Sequence, residues 1–156
     1  MSVSSHYLRQ IAGSALVVLQ FGLLLWLAAM ALPQLSQGRM GVEVALLLLL
    51  SAVLGGWTLL HNRLGNFNIH PEPKSNGVLV TTGPYRWMRH PMYTTVLLSA
   101  AALSCVPGST TAWLVWLGLF GVLLAKSSME ERWLRLHHPQ YQDYCRQCKR
   151  FVPWLL

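Results

Sequence analysis

Two long stretches of the chain contain no charged residue, one between Arg9 and Arg39 and the other between Arg89 and Lys126. Most of their residues are apolar, and apolar runs of about 18 or more residues are typical of membrane-spanning helices. A further apolar run, with a single acid near its start, lies between them. The pattern predicts an all-α integral membrane protein with four transmembrane helices, at residues 11–32, 42–60, 92–106 and 110–126.

Proline and glycine residues mark where the predicted helices end. Pro33 is expected to end the first helix, because proline lacks an amide hydrogen. The uncharged block at residues 92–125 is too long for one helix and is interrupted at Pro107 and Gly108, which favour a turn. We therefore predict a helical hairpin whose arms are about 24 Å long, at about 1.5 Å per residue. Because a hydrocarbon core is about 30 Å thick, the segments that flank the hairpin are expected at or just below the membrane surface.

The composition excludes an ordinary soluble enzyme. Hydrophobic residues make up 53% of the 156 residues and charged residues only 11%, whereas an average soluble domain has about 25% charged residues. A net charge of +7 would suit a nucleic-acid-binding domain, but the long uncharged blocks exclude that as the main interpretation. We predict a single membrane domain over residues 1–156, with no separate soluble domain and no nucleic-acid partner.

The distribution of cations predicts the orientation in the membrane. With four spans, both termini and the loop after the second span lie on one side, and Arg39 is the only lysine or arginine on the other. Because cytoplasmic segments carry an excess of these residues, both termini are predicted to be cytoplasmic. Ala29-Met30-Ala31 resembles a signal-peptidase site, but the apolar stretch exceeds the roughly 7–15 residues of the apolar segment of a signal peptide. The first span is therefore expected to be retained.

The polar loop between the second and third spans contains an unusual group of residues from Gly83 to Pro91. Its prolines disfavour helix before them, so we predict a structured loop or one short turn, with Pro91 as the first residue of the third span. Amides at a helix start bind anionic groups, and Arg86, Arg89 and His90 add two cations and a group that titrates near neutrality. The alternative is a positively charged flank with an interfacial aromatic belt of Tyr85, Trp87 and Tyr93.

Two adjacent acids, Glu130 and Glu131, follow the fourth predicted span by about one turn. One interpretation is a weak surface ion pair between Lys126 and Glu130, which are four residues apart on a helix. That pair leaves Glu131 without a role. The other interpretation is that paired carboxylates beside the membrane bind a cationic or amino-bearing ligand, and the spacing alone does not separate the two.

The tail, residues 127–156, contains two tyrosines three residues apart, Tyr141 and Tyr144, followed by RFVPW at residues 150–154. This pattern predicts an amphipathic helix that lies on the membrane interface and ends at Pro153. An anchoring role at the membrane surface is expected of this segment whatever other role it has.

The three cysteines are Cys105, Cys145 and Cys148. The last two form a Cys-x-x-Cys pair downstream of His137 and His138, and these four residues are potential zinc ligands. Their spacing matches no reliable zinc pattern and basic residues crowd the pair, so no metal site is predicted. Reduced cytoplasmic thiols on a surface helix are expected at Cys145 and Cys148 instead.

The segment from Leu79 to Tyr93, LVTTGPYRWMRHPMY, resembles the signature loop of the isoprenylcysteine carboxyl methyltransferase family, whose relatives include phospholipid N-methyltransferases. Those membrane enzymes pair such a loop with a Glu-Glu at the cytoplasmic end of the last helix, where Glu130-Glu131 stands here. The similarity extends over about residues 66–154, more than half of the chain. Further positions match the family in order, namely Leu134, Tyr141, Tyr144, Val152 and Pro153.

The resemblance implies that S-adenosylmethionine is the methyl donor, held by a loop at residues 66–91, the hairpin and the tail. Glu130 and Glu131 would bind the amino group of the cofactor and its ribose hydroxyls. The residues that would wrap the cofactor are Gly83, Pro84, Tyr85, Arg89, His90, Pro91 and Tyr93.

Catalytic and acceptor-binding roles follow from the same resemblance and from side-chain chemistry. His90 is the candidate base for an amine or hydroxyl acceptor. Arginines could orient an anionic acceptor, and the candidates are Arg86, Arg89 and Arg132. Tyr141 and Tyr144 are predicted to bind the acceptor.

The length and span number are similar to those of short bacterial members, which favours the bacterial inner membrane as the location. The implied acceptor is lipophilic or amphiphilic, either an isoprenylcysteine-like carboxylate or a lipid amine. Two other classes stay open: an NADPH-dependent oxidoreductase similar to membrane sterol reductases, and a non-enzymatic membrane scaffold. No predicted strand followed by GxGxxG and a helix is present, so the fold of soluble methyltransferases is not expected.

Overall fold

The computed structural model describes residues 3–62 and 79–155, and over these ranges the chain is helical. The helices are α1 (Val3–Ser36), α2 (Val42–His61), a short 3-10 helix (Gly83–Arg86), α3 (Pro91–Cys105), α4 (Thr110–His137) and α5 (Tyr141–Gln147). The β-structure within the described ranges is an isolated bridge between Met88 and Lys149. The prediction of an all-helical fold is confirmed. Residues 66–78 of the predicted cofactor loop lie outside the described residues.

Three helices in the described ranges are long and apolar enough to cross a membrane, namely α2, α4 and the Gln10–Ser36 part of α1. Helix α3 is apolar but has only 15 residues. Large apolar side chains on α1 and α2 face outward, among them Val18, Leu25 and Leu60, as expected of surfaces that contact lipid. The chain therefore has the fold of an integral membrane protein, while the number of spans and their orientation stay predictions.

Helix α1 does not end at Pro33 as predicted but continues to Ser36. A proline removes one backbone hydrogen bond, and membrane helices tolerate it because neighbouring groups satisfy the freed carbonyl. Here the interruption falls in the last turn of the helix. The Ser36 hydroxyl donates to the Pro33 carbonyl at 2.9 Å, which satisfies one of the terminal carbonyls that have no helical partner. The chain turns after the helix at Gly38, whose φ of +69° only glycine adopts readily.

The predicted hairpin is present as α3 and α4, joined at Val106–Ser109. The Ser109 side chain caps α4 by accepting a hydrogen bond from the Ala112 amide at 3.2 Å. Helix α4 extends well past the predicted end at Lys126, to His137. Glu130 and Glu131 are therefore part of a rigid helix.

Small polar residues join the helices that pack most closely. On α2, the Ser51 hydroxyl lies 2.6 Å from the Ser99 hydroxyl of α3 and donates to the Thr95 carbonyl at 3.0 Å. Gly55 also faces Thr95, and small residues of this kind allow membrane helices to approach closely. Helix α1 packs along α4 on the other side of the hairpin, where Leu27 is fully buried.

The tail helix is shorter than predicted, because α5 ends at Gln147 and not at Pro153. The chain beyond it extends along the loop, with the Arg89 amide donating to the Lys149 carbonyl at 2.8 Å and the His90 amide donating to the Arg150 carbonyl at 3.0 Å. These two backbone hydrogen bonds take the place of the helical hydrogen bonds that were predicted for this segment. They connect the tail to the residues just before α3.

Cys148 is buried, which corrects the expectation of two thiols on a surface helix. Its thiol donates to the Arg86 carbonyl at 3.0 Å, and burial raises the pKa of Cys148 above its ordinary value. The thiol is therefore part of the contact between tail and loop.

Candidate functional site

The loop that leads into α3 has the structured form that the sequence predicted. Gly83 opens the 3-10 helix with a φ of +60°, and its Cα faces the His61 ring so closely that a Cβ would overlap the ring. Pro84 is buried, and Pro91 is the first residue of α3. This geometry brings Arg89 and His90 to the end of the bundle at which α4 carries its two glutamates.

Glu131 is a buried carboxylate to which several cationic side chains bind. It is 1% exposed. Its Oε1 accepts from Arg89 Nε at 2.9 Å and from Arg150 Nε at 3.1 Å, and its Oε2 accepts from Arg150 Nη2 at 3.0 Å and Arg135 Nη2 at 3.3 Å. His90 Nε2 lies 3.2 Å from Oε1. A carboxylate held in this way joins the loop, α4 and the tail.

Arg89 binds the tail as well as Glu131. Its Nη1 donates to the carbonyl oxygens of Cys145, at 3.2 Å, and Cys148. Burial alone would lower the pKa of Arg89, but the hydrogen bond and the charge of Glu131 outweigh it and raise the pKa. The guanidinium therefore stays charged and acts as a clamp between α4 and the segment after α5.

His90 lies between the two glutamates. Its Nδ1 is 3.7 Å from Glu130 Oε2, while its Nε2 faces Glu131. The ring is parallel to that of Tyr93, with centroids 5.3 Å apart. Both ring nitrogens therefore face carboxylates, and the ring is fixed by stacking.

Glu130 differs from Glu131 in exposure and in its contacts. Its side chain is 30% exposed, against 1% for Glu131. The Tyr93 hydroxyl donates to Glu130 Oε2 at 3.1 Å. Of the two adjacent acids, Glu130 is thus the one with surface available to a ligand.

The predicted acceptor residues Tyr141 and Tyr144 are buried, where they pack with Cys148. The Tyr144 hydroxyl donates to the Tyr85 carbonyl at 2.6 Å, so this side chain holds the loop. Burial and the charge of Glu130 raise the pKa of Tyr85 to about 12. The Tyr85 phenol is therefore protonated at neutral pH and can donate a hydrogen bond.

Two predicted arginines lie apart from the Glu131 contacts. Arg132 is exposed on α4. Arg86 is exposed beside a cavity of about 480 Å³ and contributes to a second of about 350 Å³. The larger cavity is lined by Arg86, Trp87, Gln147, Lys149 and Trp154.

The contacts of Arg150 and Lys126 could not be anticipated from the sequence pattern. Arg150 binds both oxygens of Glu131 through two nitrogens, and nothing in the sequence distinguishes it from the other tail cations. Lys126 does not form the surface pair with Glu130 considered above. It is 2% exposed, and its ammonium donates to Gln20 of α1 at 2.6 Å. Within residues 3–62 and 79–155, no group of three or more His, Cys, Asp or Glu side chains is arranged to hold a metal ion.

Arg150→Gln is expected to loosen the tail, because a neutral amide cannot replace a two-point ion pair with a buried carboxylate. Arg146→Gln is the matched control, since Arg146 is in the same tail but highly exposed, beside an equally exposed Asp143. Limited proteolysis in detergent should cleave the Arg150→Gln tail several-fold faster than wild type. Equal cleavage rates for the two variants would show that the ion pair between Arg150 and Glu131 does not hold the tail in place.

The described helices and this cluster of charged residues define a membrane protein with a polar site at one end of its helical bundle. Residues 42–140 match the phospholipid methyltransferase family. Because the match includes well over half of the chain, the protein belongs to this family of membrane methyltransferases. This confirms the family recognised from the loop and the Glu-Glu pair.

The chain is also similar to a cobalt-zinc-cadmium resistance protein, CzcN, of Cupriavidus metallidurans. The two are 32% identical over 83 residues, which are 53% of this chain and 38% of that protein. The chain therefore matches less than half of that relative's length.

Proposed function

We propose that the protein is an S-adenosylmethionine-dependent methyltransferase that methylates a lipophilic or amphiphilic acceptor at the cytoplasmic face of the bacterial inner membrane. The observation that carries the proposal is the meeting of the Arg89-His90 loop with Glu130 and Glu131 at one end of the bundle, in a chain of a methyltransferase family. The apolar outer surfaces of α1 and α2 support a lipid environment.

The residues present suit the cofactor. Glu130 is a partly exposed carboxylate to which the cofactor's ammonium could bind. Tyr85 offers an aromatic face, and such faces stabilise cations such as a sulfonium. When bound, the cofactor supplies a methyl group attached to a positively charged sulfur.

The protein's own contribution is to position the reactants. Methyl transfer needs the acceptor atom, the methyl carbon and the sulfur close together and aligned, and holding them so lowers the entropic part of the barrier. The ion pairs of Glu131 with Arg89 and Arg150 hold the loop and the tail together beside Glu130.

The acceptor determines whether a base is needed. A carboxylate acceptor, as in an isoprenylcysteine, needs none, whereas an amine that starts protonated must lose a proton. Both ring nitrogens of His90 face carboxylates, so we propose that His90 first of all orients Glu130 and that its role as a base applies to an amine acceptor. Arg86, beside its cavity, and Arg132 are the proposed groups that orient an anionic acceptor.

Tyr141 and Tyr144 stay predicted acceptor contacts. Their burial and the hydrogen bond from Tyr144 to the loop support a positioning role. On this proposal Tyr144 affects the acceptor through the position of Tyr85.

The deciding experiment incubates the purified protein with methyl-labelled S-adenosylmethionine and a bacterial lipid extract and identifies the labelled product. We expect label in a lipid amine or in the methyl ester of a lipid-like thioether acid. A parallel melting experiment compares S-adenosylhomocysteine with NADPH, because a ligand raises the melting temperature only of a protein that binds it. Stabilisation by NADPH alone would favour the reductase class, and stabilisation by neither, with no labelled product, would favour a scaffold.

A further inference from the structure

Lys126 is a buried amine in α4 with well-defined contacts. It is 2% exposed, and its Nζ donates to Oε1 of Gln20, itself 7% exposed, at 2.6 Å. The same Nζ lies 5.4 Å from the centroid of the Tyr93 ring. Burying an amine in an apolar bundle is costly unless partners satisfy it, so these two contacts account for where the amine sits.

Glu130 is a competing partner for this amine. It follows Lys126 by four residues on the same helix, a spacing at which side chains of opposite charge can meet. At a site of low dielectric their attraction would be stronger than on a surface. In the structure, however, the amine is bonded to Gln20, while Glu130 accepts from Tyr93. Lys126 and Glu130 thus form no ion pair, although they are close enough on α4 for the charge of Glu130 to act on the amine.

Gln20 comes from α1, which lies outside the residues 42–140 matched by the family. Helix α1 packs along α4, and Gln20 is a buried polar side chain in a stretch that is otherwise largely apolar. A glutamine at that depth has a cost that its contact with Lys126 offsets.

We propose that Gln20 is a positioning residue: it keeps Lys126 over the Tyr93 ring and off Glu130, so that Glu130 stays available to the amino group of the bound cofactor. The inference rests on the proposed function, since it assigns Glu130 to that amino group. It gives α1 a part in the site that the family match does not include.

Gln20→Leu is the primary test, because leucine removes the acceptor and lets Lys126 turn to Glu130. The dissociation constant of S-adenosylhomocysteine, measured by calorimetry in detergent, is expected to rise about tenfold, equivalent to about 1.4 kcal/mol. The Lys126→Met variant should have a dissociation constant for S-adenosylhomocysteine within about twofold of the wild-type value. The double variant Gln20→Leu/Lys126→Met should recover the affinity lost in the single one, because the competing amine is gone.

Two further variants separate positioning from a merely structural effect. Gln20→Glu keeps an acceptor for Lys126 and should bind like wild type. Gln10→Leu makes the same chemical change as the test at an exposed position of α1 and should also bind like wild type. A structural role alone would lower the melting temperature of Gln20→Leu without changing the affinity of the folded fraction.

The outcomes distinguish the inference from the function on which it rests. Wild-type protein that does not bind S-adenosylhomocysteine overturns both. Wild-type protein that binds, with equal binding by Gln20→Leu, overturns the inference alone. A double variant as weak as Gln20→Leu would also overturn it, because Lys126 would then not be the competitor.

Discussion

Glu131→Gln is expected to destabilise the protein strongly, because three arginine side chains donate to this carboxylate. Removing one partner from a buried ion pair leaves the other charge unpaired and typically costs about 3–5 kcal/mol. The melting temperature in detergent, followed by tryptophan fluorescence, should fall by many degrees, and the tail should separate from the loop. Saturating cofactor should not restore the full loss.

Asp143→Asn is the matched control for Glu131→Gln, since it also neutralises one acid that faces an arginine. Its partner is Arg146, and both side chains are largely exposed, so it should change stability by less than about 1 kcal/mol. A Glu131→Gln variant that melts like wild type would show that Glu131 does not hold the loop to the tail.

Glu130→Gln is expected to leave the stability of the protein nearly unchanged and to lower its affinity for the cofactor. Its side chain is 30% exposed and accepts one hydrogen bond from Tyr93, a bond that a glutamine oxygen can still accept. The melting temperature should therefore change little. The affinity for S-adenosylhomocysteine should fall at least about 100-fold, or about 2.7 kcal/mol, because a charge-assisted hydrogen bond to the ammonium is lost.

The control for this variant is Glu43→Gln, at the start of α2 and at the other end of the bundle. It should bind the product normally. Normal binding by Glu130→Gln would remove Glu130 from the cofactor site, and a large fall in its melting temperature would mean that both glutamates are structural.

The two adjacent glutamates illustrate what could be predicted from the sequence and what could not. Their position after an apolar helix, together with the loop that contains Arg89 and His90, predicted that they belong to one site, and the structure brings these residues together. The sequence pattern did not distinguish the two acids from each other. Their difference arises because α4 continues past Lys126, so that consecutive residues point about 100° apart on a rigid helix.

The arginines illustrate the same limit. Arg86, Arg89 and Arg132 were chosen by their closeness in sequence to the motifs, yet only Arg89 contacts a glutamate in the described ranges. Arg150, one of several tail cations, binds Glu131 because the chain after Gln147 is extended and pairs with the loop. That pairing connects residues about 60 positions apart in sequence, and no local pattern encodes it.

The class of fold, the helical hairpin, the helix start at Pro91 and the family could be predicted from the amino-acid sequence, because long uncharged stretches, proline positions and contiguous motifs are local properties of the chain. Which acid is buried, which arginine binds it and where the Lys126 amine lies depend on the three-dimensional arrangement of the helices. Those outcomes depend on competition between partners on different helices. Gln20 binds Lys126 across 106 positions of sequence, and only the packing of α1 against α4 makes it a nearer partner than Glu130.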